Sequence, residues 1–364
     1  MSAPDTLVAE VLDRTRVLAQ TPAPSFHEGD RAALVSGWWA EWAAEVDVDA
    51  VGNVWARVRP GDGPAVVVAA HLDTVFSADF DHSVVERDGH LFGPSVGDDS
   101  VAVAALGALD ALLPPDPGGP VWVLATVGEE GLGNLTGIRH ALSAPPVEIG
   151  AVIALEGNWL GRVCSTAVGS VRRRVTLRGP GGHAWEASEA PSAVHGVARV
   201  VATLDSAQRP IDARTAVNVG RIGGGTAINA RADHAWFDVD LRAESQAALD
   251  ELVATLESTV AAAAGDFAIE VESLGDRPAG AIDPTHPLVL AALEALDAAG
   301  IVGELTAAST DANAAHPVGV PAIALGVTRG GGEHTPDEWI ETAPLGRGLS
   351  VLAATITTYL RRTT

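Results

Sequence analysis

The chain has 364 residues, 47% of them apolar, and carries a formal charge of −24. That length and apolar share suit a globular protein with a large core and room for two domains, and they exclude a disordered chain. The acidity, with no lysine anywhere in the chain, excludes nucleic acid and anionic membrane as partners.

Cys164 is the only cysteine, so an intramolecular disulfide and a Cys-rich zinc site are both excluded. The amino-terminal "MSAPDTLVAEVLDRTRVLAQ" reads as an amphipathic helix and lacks the basic start and apolar centre of a signal peptide. No apolar stretch approaches membrane-spanning length. The expectation is a soluble, cytoplasmic protein. Next, "GWWAEWAAE" clusters Trp38, Trp39 and Trp42, which reads as helical packing.

Up to about residue 160, apolar runs of strand length alternate with helical patterns. "PAVVVAAHLDTV", "PVWVLATVGEE" and "IGAVIALEGN" are continuous apolar runs, as buried parallel strands require, and "DDSVAVAALGALDALL" suits a crossover helix. In such sheets the site lies beyond the carboxyl ends of the strands, where each of these runs ends in His, Asp or Glu. From 165 to 275 the texture changes to strand-helix-strand-strand-helix-strand, with Ala235, Phe237, Val239 and Leu241 on one strand face. "VRRRVTLR" alternates Arg172 and Arg174 with apolar residues and reads as a solvated or dimer-facing strand. The α/β texture then returns with "HPLVLAALEALDAAG" and "PAIALGV". The expected fold is α/β. A mostly parallel sheet with helices on both faces forms a discontinuous catalytic domain (1–164 and 276–364), and an α+β βαββαβ domain (165–275) is inserted. "RIGGGT" and "TRGGGEHT" are Gly-rich, but without a lysine neither is a P-loop.

The strand ends collect His71 with Asp73, Asp98 with Asp99, Glu129 with Glu130, then Glu156 and His334. Five ligands from this set suit two divalent ions, one on His71, Asp98 and Glu156, the other on Asp98, Glu130 and His334, with Asp98 bridging. Three carboxylates and a hydroxide neutralise two dications. Asp73 is expected to accept the second ring N–H of His71. Adjacent glutamates after a strand point in different directions, so one binds metal while the other serves as general base.

"HLDTVF", "GPSVGDDSVAVAAL", "VGEEGLGNL", "ALEGN", "STDAN" and "GGEHTPDEW" resemble, in order, the motifs of the dizinc exopeptidase and deacylase family. That is the family of tripeptidase T, glutamate carboxypeptidase, acetylornithine deacetylase and succinyl-diaminopimelate desuccinylase. The resemblance implies the metal assignment above, with Glu129 as base and Asp73 supporting His71. It also implies that the inserted segment is a lid through which two chains form a homodimer. The lid's "GPGGHAW" would send His183 to the partner's site to stabilise the oxyanion. "AINARADHAWFDVDLR" would hold substrate through Asn229 and Arg242. Two departures stand out: Ser100 occupies a position where many relatives have Lys, and "TAINARAD" lacks a proline common in relatives.

The activity so implied is hydrolysis of a terminal amide bond of a short peptide, with two zinc ions per chain, Co or Mn being alternatives. An N-acyl-amino-acid deacylase would use the same site. A catalytically inactive dimeric binding protein is a third reading, against which retention of every ligand together with Glu129 argues.

Overall fold

The computed structural model describes residues 2–207, 214–263 and 267–363. The chain divides into two compact units, Met1–Ala167 with Ala281–Thr364, and Val168–Gly280.

The first unit is built on a central sheet. The strand Ala65–His71 pairs in parallel with Val121–Thr126 on one side and with Ile149–Leu155 on the other. Ala322–Leu325 continues the parallel run beyond Ile149–Leu155. Val54–Arg59 and Val46–Val48 add antiparallel strands outside Val121–Thr126. The inner strands are apolar throughout because both faces are covered. Val66, Val68 and Ala70 pack on one side with the helices Asp5–Gln20, Val101–Leu112, Pro287–Ala298 and Leu345–Thr363. Val67 and Ala69 pack on the other with Leu135 and Ile138, next to or in the helix Thr136–Ser143. Trp39 is buried in the larger cluster, with Trp38 and Trp42 packed against it, as helical packing requires.

Strand order fixes where a site can form. After Ala65–His71 the chain crosses to Val121–Thr126 on one side, then returns to Ile149–Leu155 on the other. The loops leaving Ala65–His71 and Ile149–Leu155 therefore diverge, which opens a crevice at their carboxyl ends. His71 closes the first of these strands and Glu156 follows the second. Among the described residues, no helix is long and apolar enough to cross a membrane.

The second unit is an antiparallel sheet in the order Thr215–Gly224, His234–Ala243, Gly169–Arg178, Ala268–Arg277. Ala235, Phe237, Val239 and Leu241 are buried in one cluster with residues of the helices Ala193–Ser206 and Gln246–Ala262. On the opposite face Arg172 stands across from Asp240 and Arg174 across from Asp238. Arg174 Nε and Nη2 each lie 2.8 Å from an oxygen of Asp238. These cross-strand ion pairs account for the alternating arginines as a charge-matched sheet face.

Candidate metal centre

At the carboxyl edge of the parallel strands, nitrogen and oxygen donors converge in three overlapping groups: His71–Asp98–Glu156, Asp98–Glu130–His334 and His71–Glu129–Glu130. Within each group the donor atoms lie within 4.8 Å of one another. His71 Nε2 is 2.9 Å from Asp98 Oδ1. His334 Nε2 is 3.1 Å from Asp98 Oδ2 and 2.9 Å from Glu130 Oε1. Asp98 thus meets one histidine with each oxygen, the arrangement a bridging carboxylate needs. Two imidazoles and several carboxylates are the donor set that divalent zinc, cobalt or manganese accepts. The residues fit a pair of such ions.

Electrostatics point the same way. Burial, and then the charge of Asp99, push the Glu156 carboxyl well above its ordinary range. Burial likewise raises Asp99. Burial works against the charged form of His71, yet Asp99, Asp73 and Asp98 raise its imidazole well above the ordinary value. So many buried carboxylates repel one another, and cations among them favour the ionised forms.

The surrounding turns are held by hydrogen bonds to these carboxylates. Asp73 accepts from the backbone N–H groups of Glu129 (2.9 Å) and Glu130 (2.9 Å) and from the Ser25 hydroxyl (2.6 Å). His71 Nδ1 lies 3.0 Å from the Asp73 backbone carbonyl and 3.6 Å from its carboxylate. The Asp73 main chain orients the ring at closer range, while its carboxylate faces the same ring nitrogen and holds the 129–130 turn. Asp99 accepts from the His71 N–H (3.1 Å) and the Gly157 N–H (3.0 Å), tying the two strand ends together. Glycine is required at 157, where a Cβ would sit 2.2 Å from the Gly97 carbonyl oxygen. The Asp98–Asp99 peptide bond is cis.

The three remaining expected site residues lie in the second unit. His183 belongs to the short strand Gly182–His183, which pairs with Ala230–Arg231. The Ala184 N–H donates to the Asn229 carbonyl at 2.9 Å, so His183 and Asn229 are neighbours. Arg242 is elsewhere. The ribbon leaves the sheet at the His234 end of the strand His234–Ala243, whereas Arg242 is eight residues further along. At about 3.4 Å per residue, His234 and Arg242 stand about 27 Å apart along the strand. Arg242 Nε donates to Asp240 Oδ2 at 3.0 Å, on the face opposite the buried residues.

The sequence profile of peptidase family M20/M25/M40 matches residues 67–358, most of the chain. The chain belongs to that family. A probable carboxypeptidase of Aspergillus flavus is 26% identical over 301 residues, covering 73% of this chain and 71% of that protein. A succinyl-diaminopimelate desuccinylase of Corynebacterium glutamicum is 29% identical over 225 residues, covering 56% of this chain and 59% of that one. A tripeptidase structure from Staphylococcus aureus has the same fold, with TM-score 0.82, 20% identity and 97% and 99% of the two chains covered. The family is one of metallopeptidases and related hydrolases, and the protein is a hydrolase of that kind.

Several residues around the centre have contacts that the sequence alone does not assign. Arg31 is fully buried, donating to the Thr21 and Leu72 carbonyls at 2.8 and 3.0 Å and to the Ser95 hydroxyl at 3.0 Å. Burial lowers its guanidinium to about 10, against the pull of Asp73, Asp99 and Glu338. Glu28 accepts from the Gly128 N–H at 3.0 Å and steadies the turn before Glu129. Glu338 is buried against the Asp98 turn. The buried Ser100 hydroxyl finds no hydrogen-bond partner among the described residues. No metal-ligating side chain is lost by that substitution. His82 is buried, with Nε2 3.0 Å from the Ser77 carbonyl.

Proposed function

We propose that the protein is an exopeptidase that hydrolyses a terminal amide bond of short peptides at a two-metal centre, with zinc the expected metal and Co or Mn the alternatives. The observation that carries this reading is the convergence of His71, Asp98, Glu130, Glu156 and His334 at the carboxyl edge of the parallel sheet. In this reading Asp98 would be common to both subsites, His71 and Glu156 would complete the hold on one ion, and Glu130 and His334 the hold on the other. When bound, such a pair of ions supplies Lewis-acid polarisation of the scissile carbonyl and a water that ionises near neutral pH. Glu129 takes the proton of the attacking water and passes it to the leaving amine nitrogen. Asp73 holds Glu129 and Glu130 through their backbone N–H groups, so the base and its neighbouring ligand keep a fixed separation.

The second unit supplies substrate contacts in the same reading. His183 stabilises the developing oxyanion, and Asn229 and Arg242 bind the substrate. The ribbon that carries His183 and Asn229 joins the strand His234–Ala243 at its His234 end, and Arg242 sits near the other end, which supports a division of labour between two chains. His183 would serve the partner's site in a homodimer formed by the lid. The single cysteine and the absence of a membrane-crossing helix among the described residues are compatible with a cytoplasmic home.

N-acyl-amino-acid deacylation is the second reading, favoured by the identity with the desuccinylase. A panel of dipeptides, tripeptides and N-acyl amino acids, assayed with zinc and again after chelation, separates the two. Chelator-sensitive hydrolysis of peptides with free termini supports the exopeptidase. Hydrolysis confined to N-acyl substrates replaces it with the deacylase.

A further inference from the structure

We propose that Glu338 is a positioning residue that sets the geometry between the two metal subsites, by stapling the turn that carries Asp98 to the turn that carries His334. This rests on the two-ion reading above and adds to it a residue that is in none of the converging donor groups.

The staple is explicit in the hydrogen bonds. Glu338 Oε1 accepts from the Gly97 N–H at 2.6 Å and the Asp98 N–H at 2.7 Å, and Oε2 accepts from the Ser95 N–H at 3.0 Å. The backbone carbonyl of Glu338 accepts a fourth bond, from the Gly93 N–H at 2.9 Å. On its own side, the Glu338 N–H donates to the Thr335 carbonyl at 3.3 Å, one residue beyond His334. Two segments some 240 residues apart in sequence are therefore joined by four bonds, three of them to one carboxylate.

Both turns need such support. Ser95 has φ of +57° and His334 of +63°, left-handed conformations that side-chain-bearing residues adopt only when their surroundings enforce them. The contact is also close. A Cβ on Gly97 would sit 2.9 Å from Glu338 Oε1, so only glycine lets the carboxylate reach these N–H groups.

The chemistry calls for a carboxylate. Three donors point at two acceptor oxygens. A glutamine of the same size offers one acceptor and turns an amide N–H₂ toward a backbone N–H. Glu338 touches neither ion nor substrate in this arrangement. It acts through Asp98, which both ions share, and through His334, which only the second ion uses. Its loss should fall chiefly on the second ion.

The test uses the full-length chain, stripped with chelator and titrated with Zn(II) by calorimetry and with Co(II) by visible absorption. Wild type, Glu338→Gln and Glu338→Ala are compared, with circular dichroism and melting of each. Wild type is expected to take up two ions. Glu338→Gln is expected to keep the fold and the first ion, and to bind the second about 10- to 100-fold more weakly, the usual effect of removing an outer partner of a metal site. Its Co(II) spectrum should change only at the second equivalent. Glu338→Ala should move further in the same direction. The proposal is overturned if Glu338→Gln binds both ions as wild type does. It is equally overturned if the variant loses both ions alike or loses its fold, since Glu338 would then be a general structural residue. Fewer than two ions on the wild type would overturn the two-ion reading itself, and this role with it.

Discussion

Glu129 and Glu130 follow one another on a single turn, and their neighbours tell them apart. Glu130 Oε1 is 2.9 Å from His334 Nε2, whereas Glu129 shares a donor group with His71 and Glu130. If Glu129 is the base, Glu129→Gln should retain both ions and lose at least about 10²-fold in kcat. Glu130→Gln should instead weaken one ion. Elemental analysis and steady-state kinetics on the two variants check this, and the reverse pattern would exchange their roles. The converging residues can be picked out from sequence because each closes an apolar run or sits in a Gly-rich turn. Their supporting bonds cannot. Asp73 reaches the N–H groups of residues 56 and 57 positions away. Glu338 reaches turns some 240 positions away, and such pairings depend on loop conformations that no periodicity encodes.

Among the elements, the inner parallel strands are the most legible, because burial on both faces leaves continuous apolar runs. The amphipathic alternation of His234–Ala243 was equally plain, with one face buried and the other paired through charges. The short strands are not. Val85–Arg87, His90–Phe92 and Trp339–Glu341 form part of a small antiparallel sheet, and three residues are too few to show a period. The helix Pro287–Ala298 carries a testable cap. His286 Nδ1 accepts from the Leu288 N–H at 3.2 Å, which requires a ring nitrogen without its proton. Burial holds the His286 pKa below 6.5, while Asp283 pulls the other way. A histidine depressed in the folded state binds fewer protons there than in the unfolded chain. Its contribution is therefore full above 6.5 and lost as pH falls through the folded value. His286→Ala should cost about 1 kcal/mol above neutrality, as loss of a cap does. The difference from wild type should shrink as pH falls below 6.5. Thermal melts of both proteins across that range measure it. A constant difference would mean that the cap is not pH-linked.

For the molecule as a whole, the shared-site reading makes each centre depend on a second chain. Two inactive variants, Glu129→Gln and His183→Ala, should then complement when mixed. A mixed dimer has one intact centre and one doubly damaged centre. With half the dimers mixed, activity should return to about a quarter of wild type. Tag pull-down verifies exchange. Confirmed exchange without recovery would confine His183 to its own chain, and a fully active monomer would remove the shared site. The more basic question is whether one carboxylate holds two ions, and metal content answers it most directly. Purified wild-type chain should carry two divalent ions by elemental analysis, and Asp98→Ala, lacking the oxygens that meet His71 and His334 at 2.9 and 3.1 Å, should lose both. A single ion on the wild type, or an Asp98→Ala chain that keeps its full complement, would contradict the bridged two-metal centre.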